Sequence, residues 1–78
     1  MTQQQASNHR ETLTVIVNGE QRHLTAPASV STLLETLSYP RQGIAVAVNR
    51  QVVPRSAHGE YRLAEGDTVD IVQAVGGG

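Results

Sequence analysis

The spacing of apolar residues changes once along this chain, and that change restricts the possible folds more than any other feature. Between residues 30 and 37 the apolar side chains recur at intervals of three and four, which places them on one face of a helix. Before and after this segment they alternate with polar or small residues, the period of a half-buried strand. The pattern therefore predicts strands grouped around one helix.

A β-hairpin is predicted first. Residues 12–17 and 20–25 read as strands, and Asn18-Gly19 lies between them. This dipeptide is the strongest short hairpin signal, because both central residues of a type I′ turn need positive φ.

The helix and the remaining strands follow. Ser29 is the expected N-cap of a helix over residues 30–38, and Pro40 is expected to end it, because the residue before a proline is disfavoured in the α region. Pro54 cannot donate to a ladder, so its strand is expected at an edge. The strand segments are GIAVAVN, VVPR and TVDIVQAV, and NRQ is expected to turn the chain between the first two. The order ββαβββ predicts an α+β fold in which a mixed sheet has one helix packed across one face.

The chain divides into an arm, a domain and a tail. Residues 1–11 are polar and without periodicity, so we expect a disordered N-terminal arm. Residues 12–75 are expected to form one domain, and residues 76–78 a flexible tail of three glycines. No apolar run approaches the roughly 20 residues that a membrane span needs, and no secretory signal is visible. The expected compartment is the cytoplasm.

Composition disfavours several kinds of site. The chain has no Cys, so it offers no disulfide, thiolate nucleophile or Cys metal site. Its six basic residues, all Arg, are scattered, and only two aromatic residues occur, so nucleic-acid binding is not expected. His9, His23 and His58 are far apart and expected at the surface, with no shared metal site. Glu65 and Asp67 are expected in a solvated turn around Gly66, rather than in an acid–base pair.

Several segments occur in a distinctive order: the hairpin, SVSTLLETL, AVAVNRQVVPR, EGD, TVDIVQAV and the terminal GGG. In this order the chain resembles the sulfur carrier proteins of thiamine biosynthesis, over about residues 12–78. The resemblance implies the ubiquitin-like β-grasp fold. It also implies a protein co-substrate rather than an enzyme.

The resemblance further implies a reaction cycle and its partners. An adenylyltransferase activates the C-terminal carboxylate with ATP, a sulfur-donating enzyme provides the sulfur, and the resulting thiocarboxylate donates it to thiazole synthase. Gly78 matches the residue that is adenylated and thiocarboxylated, whereas Gly76 and Gly77 match the tail that enters partner active sites. The carrier itself is expected to bind no cofactor.

The tail suits this chemistry on physical grounds as well. An α-carboxyl has a pKa of about 3.3–3.7, so at neutral pH it is ionised, a poor electrophile that must be activated as a mixed anhydride. Glycine has no Cβ, so its backbone fits a narrow passage and leaves the acyl carbon open to attack. Without any Cys, the chain has no thiol on which to hold sulfur.

The sheet face opposite the helix is the expected partner surface. It should carry small or apolar residues from the three central strands, with Arg55 at its rim. An exposed apolar patch on a small protein often marks a partner surface. The candidate residues are Ile16, Ala45, Ala47, Arg55, Val72 and Ala74.

Other functions remain open. The small subunit of molybdopterin synthase shares the fold and the Gly-Gly end, but it tends to carry a proline-containing segment before the glycines, which IVQAVGGG lacks. A ubiquitin-like modifier would use the same activated terminus, although a chain without Lys cannot conjugate to itself through lysine. A β-grasp interaction module with an inert tail would tolerate a C-terminal fusion. A small enzyme is disfavoured, because no catalytic cluster converges.

Overall fold

The alternating and helical segments fold into two layers, a sheet and a helix packed on it. The computed structural model describes residues 11–40 and 42–74. The elements are β1 Thr12–Val17, β2 Glu20–Thr25, α1 Val30–Thr36, β3 Ile44–Val48, β4 Gln51–Val53, a 3₁₀ helix Arg55–Ala57, and β5 Thr68–Gln73. This order confirms the predicted ββαβββ arrangement.

The sheet is mixed, and its strand order is β2-β1-β5-β3-β4. β1 and β5 run parallel, whereas the other neighbouring strands run antiparallel. The prediction that β1, β3 and β5 are central is confirmed. β4 lies at an edge, as Pro54 predicted, because a proline has no N–H to donate to a further strand.

The core lies between α1 and one face of the sheet. Val15, Val46 and Val69 point to this face from the three central strands, and Leu33 meets them from the helix; all four are almost fully buried. Full burial of such a side chain contributes about 1.5–3 kcal/mol to the free energy of unfolding. The other face of the sheet is left without a covering element within the described residues.

Both two-residue hairpin turns have positive φ at their two central residues. In the first, Asn18 has φ 50° and Gly19 has φ 85°, as the Asn-Gly signal predicted. In the second, between β3 and β4, Asn49 has φ 51° and Arg50 has φ 73°. The turn itself was predicted there, but a non-glycine residue at its second position was not recognised as unusual.

The predicted N-cap of α1 is confirmed. Ser29 has an extended backbone, and its Oγ accepts a hydrogen bond of 3.1 Å from the Thr32 N–H. This bond satisfies one of the four N–H groups that the first turn of a helix leaves without a partner.

The predicted end of α1 is wrong by two residues. The helix ends at Thr36 because Ser38 adopts φ 64°, the left-handed conformation of a Schellman motif. The Ser38 N–H donates to the Glu35 carbonyl at 3.1 Å, and the Tyr39 N–H donates to the Leu34 carbonyl at 2.9 Å. The helix therefore ends before Pro40, and the proline does not determine where it ends.

The expectation of surface histidines holds for His23 and is wrong for His58. The His58 side chain is buried, with 8% of the residue exposed, and its Nε2 lies 3.1 Å from the Val53 carbonyl oxygen. His23 is exposed, and its Nδ1 lies 3.1 Å from Thr14 Oγ1. His9 lies outside the described residues.

The turn around Gly66 is held by hydrogen bonds to the side chains of its two acidic residues. Gly66 has φ 84°, as the turn required. Glu65 Oε1 accepts from the Thr14 N–H at 2.9 Å, and Asp67 Oδ2 accepts from the Ala64 N–H at 2.8 Å. The carboxylates therefore fix the loop that enters β5, which corrects the simpler expectation.

The ends of the predicted domain fall close to the limits of the described residues. Glu11, placed in the arm by the sequence, extends the hairpin, because its carbonyl accepts from the Ala26 N–H at 2.8 Å. Residues 1–10, Val75 and the tail of residues 76–78 lie outside the described residues. Within the part that is described, no helix is both long and apolar enough to cross a membrane.

Candidate functional site

The strand that leads to the tail, β5, is held on both sides. It pairs with β1 through Thr68 and Val69, and with β3 through residues 69–73. Beyond the strand, the Ala74 N–H donates to the Gly43 carbonyl at 2.6 Å. The backbone is therefore fixed as far as Ala74. The predicted site residues Gly76, Gly77 and Gly78 follow directly in the sequence and lie outside the described residues.

Asn18, the residue after the end of β1, continues the hydrogen bonding to β5. Its backbone N–H donates to the Val69 carbonyl at 2.9 Å. Its Oδ1 accepts from the Ile71 N–H at 2.8 Å, and its Nδ2 donates to the Ile71 carbonyl at 3.2 Å. The side-chain amide thus replaces the next peptide group of the parallel ladder.

Asn49 holds the beginning of β5 in a similar way. Its backbone N–H donates to the Thr68 carbonyl at 2.7 Å, and its Oδ1 accepts from the Thr68 N–H at 3.0 Å. Its Nδ2 donates to Asp67 Oδ1 at 3.0 Å. Both asparagines were predicted only as turn residues, and this second role was not predicted. One signal for this role was present in the sequence: asparagine occupies the first central position of both turns.

Replacing Asn18 by Gly is expected to lower the free energy of unfolding by about 1–2 kcal/mol. Glycine accepts the positive φ of Asn18 at least as readily as asparagine, so the loss isolates the two side-chain bonds to Ile71. Urea unfolding measures the change. Arg50→Gly is the matched control, since it also places glycine at positive φ but removes no side-chain hydrogen bond among the described residues. A midpoint that stays the same in Asn18→Gly would contradict this account.

The uncovered face of the sheet carries a compact apolar group. Ala45 lies opposite Val72, and Ala47 lies opposite both Asp70 and Val52. Val72 is 64% exposed and Val52 is 75% exposed. We call Ala45, Ala47, Val52 and Val72 the open-face patch. Three of its members were predicted from the sequence. Val52 was not, although the inward Val53 beside it indicates an outward neighbour.

The other predicted members of this surface fall in different places. Ile16 is half-buried and lies opposite Thr68, at the end of β5 away from Val72. Ala74 is exposed just beyond β5, next to Gly43. Ile16 therefore lies apart from the open-face patch, whereas Ala74 continues it toward the tail.

The placement of Arg55 at the rim of this face is wrong. Arg55 begins the 3₁₀ helix, which carries the chain to the helix side of the sheet. There it lines a cleft of about 200 Å³ together with Ser31, Leu34, Glu35, Tyr39, Pro40 and His58. The chain turns after Pro54 and the 3₁₀ helix packs beside α1, which places Arg55 on the helix side.

Charged groups border the open-face patch. Asp70 is exposed on β5, and Arg50 is exposed at the β3–β4 turn. With Asn49 and Thr68 they line a depression at one end of the face. Among residues 11–40 and 42–74, no group of three His, Asp or Glu side chains is arranged to hold a metal ion.

Comparison with known proteins gives consistent matches over nearly the whole chain. A sequence profile of the ThiS family matches residues 15–78. The sulfur carrier protein ThiS of Escherichia coli is 31% identical over 64 residues, which is 82% of this chain and 97% of that protein. The crystal structure of the thiamine biosynthesis protein ThiS from Geobacter metallireducens superposes with a TM-score of 0.71 at 26% identity, covering 85% of this chain and 100% of that one.

A second kind of relative is much longer. The thiazole synthase of Paramagnetospirillum magneticum is 34% identical over 64 residues, which is 82% of this chain but 20% of that protein. The thiazole synthase of Magnetococcus marinus is 34% identical over 62 residues and 19% of its length. The chain thus spans about a fifth of these relatives.

Proposed function

The chain belongs to the ThiS family, and from this we infer that it is a sulfur carrier protein for thiamine biosynthesis. The observation that carries the inference is the match to the Escherichia coli carrier, which extends over 97% of that protein. The structural match supports the same conclusion, because the mixed sheet with one helix agrees with the thiamine biosynthesis protein ThiS from Geobacter metallireducens. The family match favours this function over the small subunit of molybdopterin synthase, and over an inert interaction module.

The reactive group of the carrier is the carboxylate of Gly78. In the first step a carboxylate oxygen attacks the α-phosphorus of ATP on an adenylyltransferase, and pyrophosphate leaves. In the second step sulfur at the sulfide level (HS⁻), provided by a sulfur-donating enzyme, attacks the acyl carbon; AMP leaves and a proton is released. Gly78 then carries a thiocarboxylate, which delivers its sulfur to thiazole synthase.

The carrier acts in this cycle as a co-substrate, and its partners catalyse each step. Gly76 and Gly77 add no side chains, so the end of the chain can enter a narrow active site. The ionised carboxylate must be converted to an anhydride because it is a poor electrophile by itself. ATP binds to the adenylyltransferase, and the carrier binds no cofactor of its own. The cycle takes place in the cytoplasm.

The folded domain fixes the backbone as far as Ala74, the last described residue before the tail. β5 is bonded to strands on both sides, and Asn18 and Asn49 hold it at two further points. When a partner binds the domain, the position of Ala74 is therefore already set. Less conformational entropy is then lost when the tail enters an active site.

The open-face patch is the surface by which partners bind the carrier. Val52 and Val72 expose apolar side chains that no other described residue covers, and such patches on small proteins mark interaction sites. The relatives named thiazole synthase support an acceptor of that kind, because a fifth of each resembles this chain.

A reconstituted assay tests the proposed function. The purified chain is combined with an adenylyltransferase, ATP, a sulfur-donating enzyme and a thiazole synthase, all from the same source. Thiazole formation is expected to require the chain and to rise with its concentration. Equal thiazole formation in the absence of the chain would refute the carrier role.

A further inference from the structure

The two hairpin turns of this protein have the same shape but differ at one residue. Asn18 and Asn49 occupy the first central position with φ values of 50° and 51°. The second position is Gly19 in one turn, with φ 85°, and Arg50 in the other, with φ 73°. Glycine is favoured there because a Cβ is strained at positive φ, and arginine is not among the residues that tolerate this region well. Arg50 therefore reduces the stability of its turn.

The surroundings of Arg50 give no structural compensation for that strain. Its side chain is exposed, and no hydrogen bond or ion pair joins it to another described residue. The one ion pair among the described residues joins Glu20 and Arg22 at 3.2 Å, on a different strand. The guanidinium thus contributes nothing to the fold that would offset the strained backbone.

Arg50 instead lies beside the open-face patch. It lines a depression with Asn49, Thr68 and Asp70, and Asp70 lies directly opposite Ala47 in the sheet. Two of the other described arginines lie elsewhere, since Arg22 is paired on β2 and Arg55 lines the cleft beside α1. A positive and a negative group therefore border one end of an apolar surface.

We propose that Arg50 is a specificity-determining residue that pairs with a carboxylate on the thiazole synthase surface that covers the open-face patch. This inference rests on the proposed function, which provides the partner. Docking removes water from the border of the patch, and an ion pair there is stronger than one in open solvent. Charge at such a border also increases the rate of association and disfavours partners with the wrong charge.

The test compares three variants in binding to the cognate thiazole synthase. Arg50→Gln removes the charge and keeps the strained backbone, Arg50→Gly removes both, and Arg55→Gln is the matched control with the same change in net charge on the helix side. Calorimetry at low and high salt measures the dissociation constant, and thermal unfolding measures Tm.

We expect both Arg50 variants to bind about 3- to 10-fold more weakly at low salt, with a smaller difference at high salt. Arg55→Gln is expected to bind within about twofold of the unchanged protein. We further expect Arg50→Gly to raise Tm by about 2–6 °C, because glycine relieves the turn. A purely structural role for Arg50 would not produce weaker binding in a more stable protein.

Each contrary result has a distinct meaning. If Arg50→Gln binds as well as the unchanged protein at low salt, the inference is overturned and the carrier function stands. If Arg55→Gln weakens binding equally, net charge rather than position is responsible, and the inference is again overturned. If the unchanged protein does not bind thiazole synthase at all, the proposed acceptor is wrong and the inference fails with it.

Discussion

Deleting Gly78 is expected to lower the rate of sulfur delivery to thiazole synthase by more than about 100-fold. The deletion withdraws the terminal carboxylate by about 3.5 Å, the length of one extended residue, so the carboxylate no longer reaches the position of attack on ATP. The reconstituted thiazole assay measures the rate. Tm is expected to be unchanged, because a terminal glycine has no side chain to add to the core between α1 and the sheet.

Gly78→Ala is the matched control for chain length. It keeps the carboxylate in place but adds a Cβ next to the acyl carbon, so we expect a reduced rate that is still above that of the deletion. Delivery at the full rate from the shortened chain would contradict the assignment of Gly78 as the loaded residue.

Replacing Ala47 by Glu is expected to weaken binding of both the adenylyltransferase and thiazole synthase by about 10- to 100-fold. Ala47 lies in the centre of the open-face patch, between Asp70 and Val52. A partner that covers this surface would bury an unpaired carboxylate, which is costly. Calorimetric titration with each partner measures the effect.

Thr36→Glu serves as the control for this prediction. It adds the same charge at an exposed position on α1, on the opposite side of the sheet. We expect it to bind both partners normally. The Ala47 variant should also keep its fold, with a small loss of stability because its new carboxylate faces Asp70 across the strands. Undiminished binding of this variant would exclude the open face as the partner surface.

The sequence predicted those features that depend on local periodicity. Alternation along a strand assigned Ala45 and Ala47 to the open face, because successive side chains of a strand point to opposite sides. Asn18-Gly19 predicted its turn for an equally local reason, the positive φ that both residues accept. Much of the proposed partner surface could be predicted from the same alternation, because it consists of strand residues that face away from the helix.

Features that depend on contacts distant in sequence could not be predicted. The bonds from Asn18 to Ile71 join residues 53 positions apart and exist only once β1 and β5 are paired. Arg55 was misplaced because the direction of the 3₁₀ helix after Pro54 is set by its packing beside α1. His58 was assigned to the surface, and its burial follows from the same turn of the chain.

The most direct test is the intact mass of the protein purified from cells that are making their own thiamine, followed by fragmentation of the C-terminal peptide. The account predicts that a fraction of molecules has exchanged one oxygen for sulfur, and that the exchange lies at Gly78. If thiazole is being made while every molecule carries an unmodified carboxylate at Gly78, the account is contradicted.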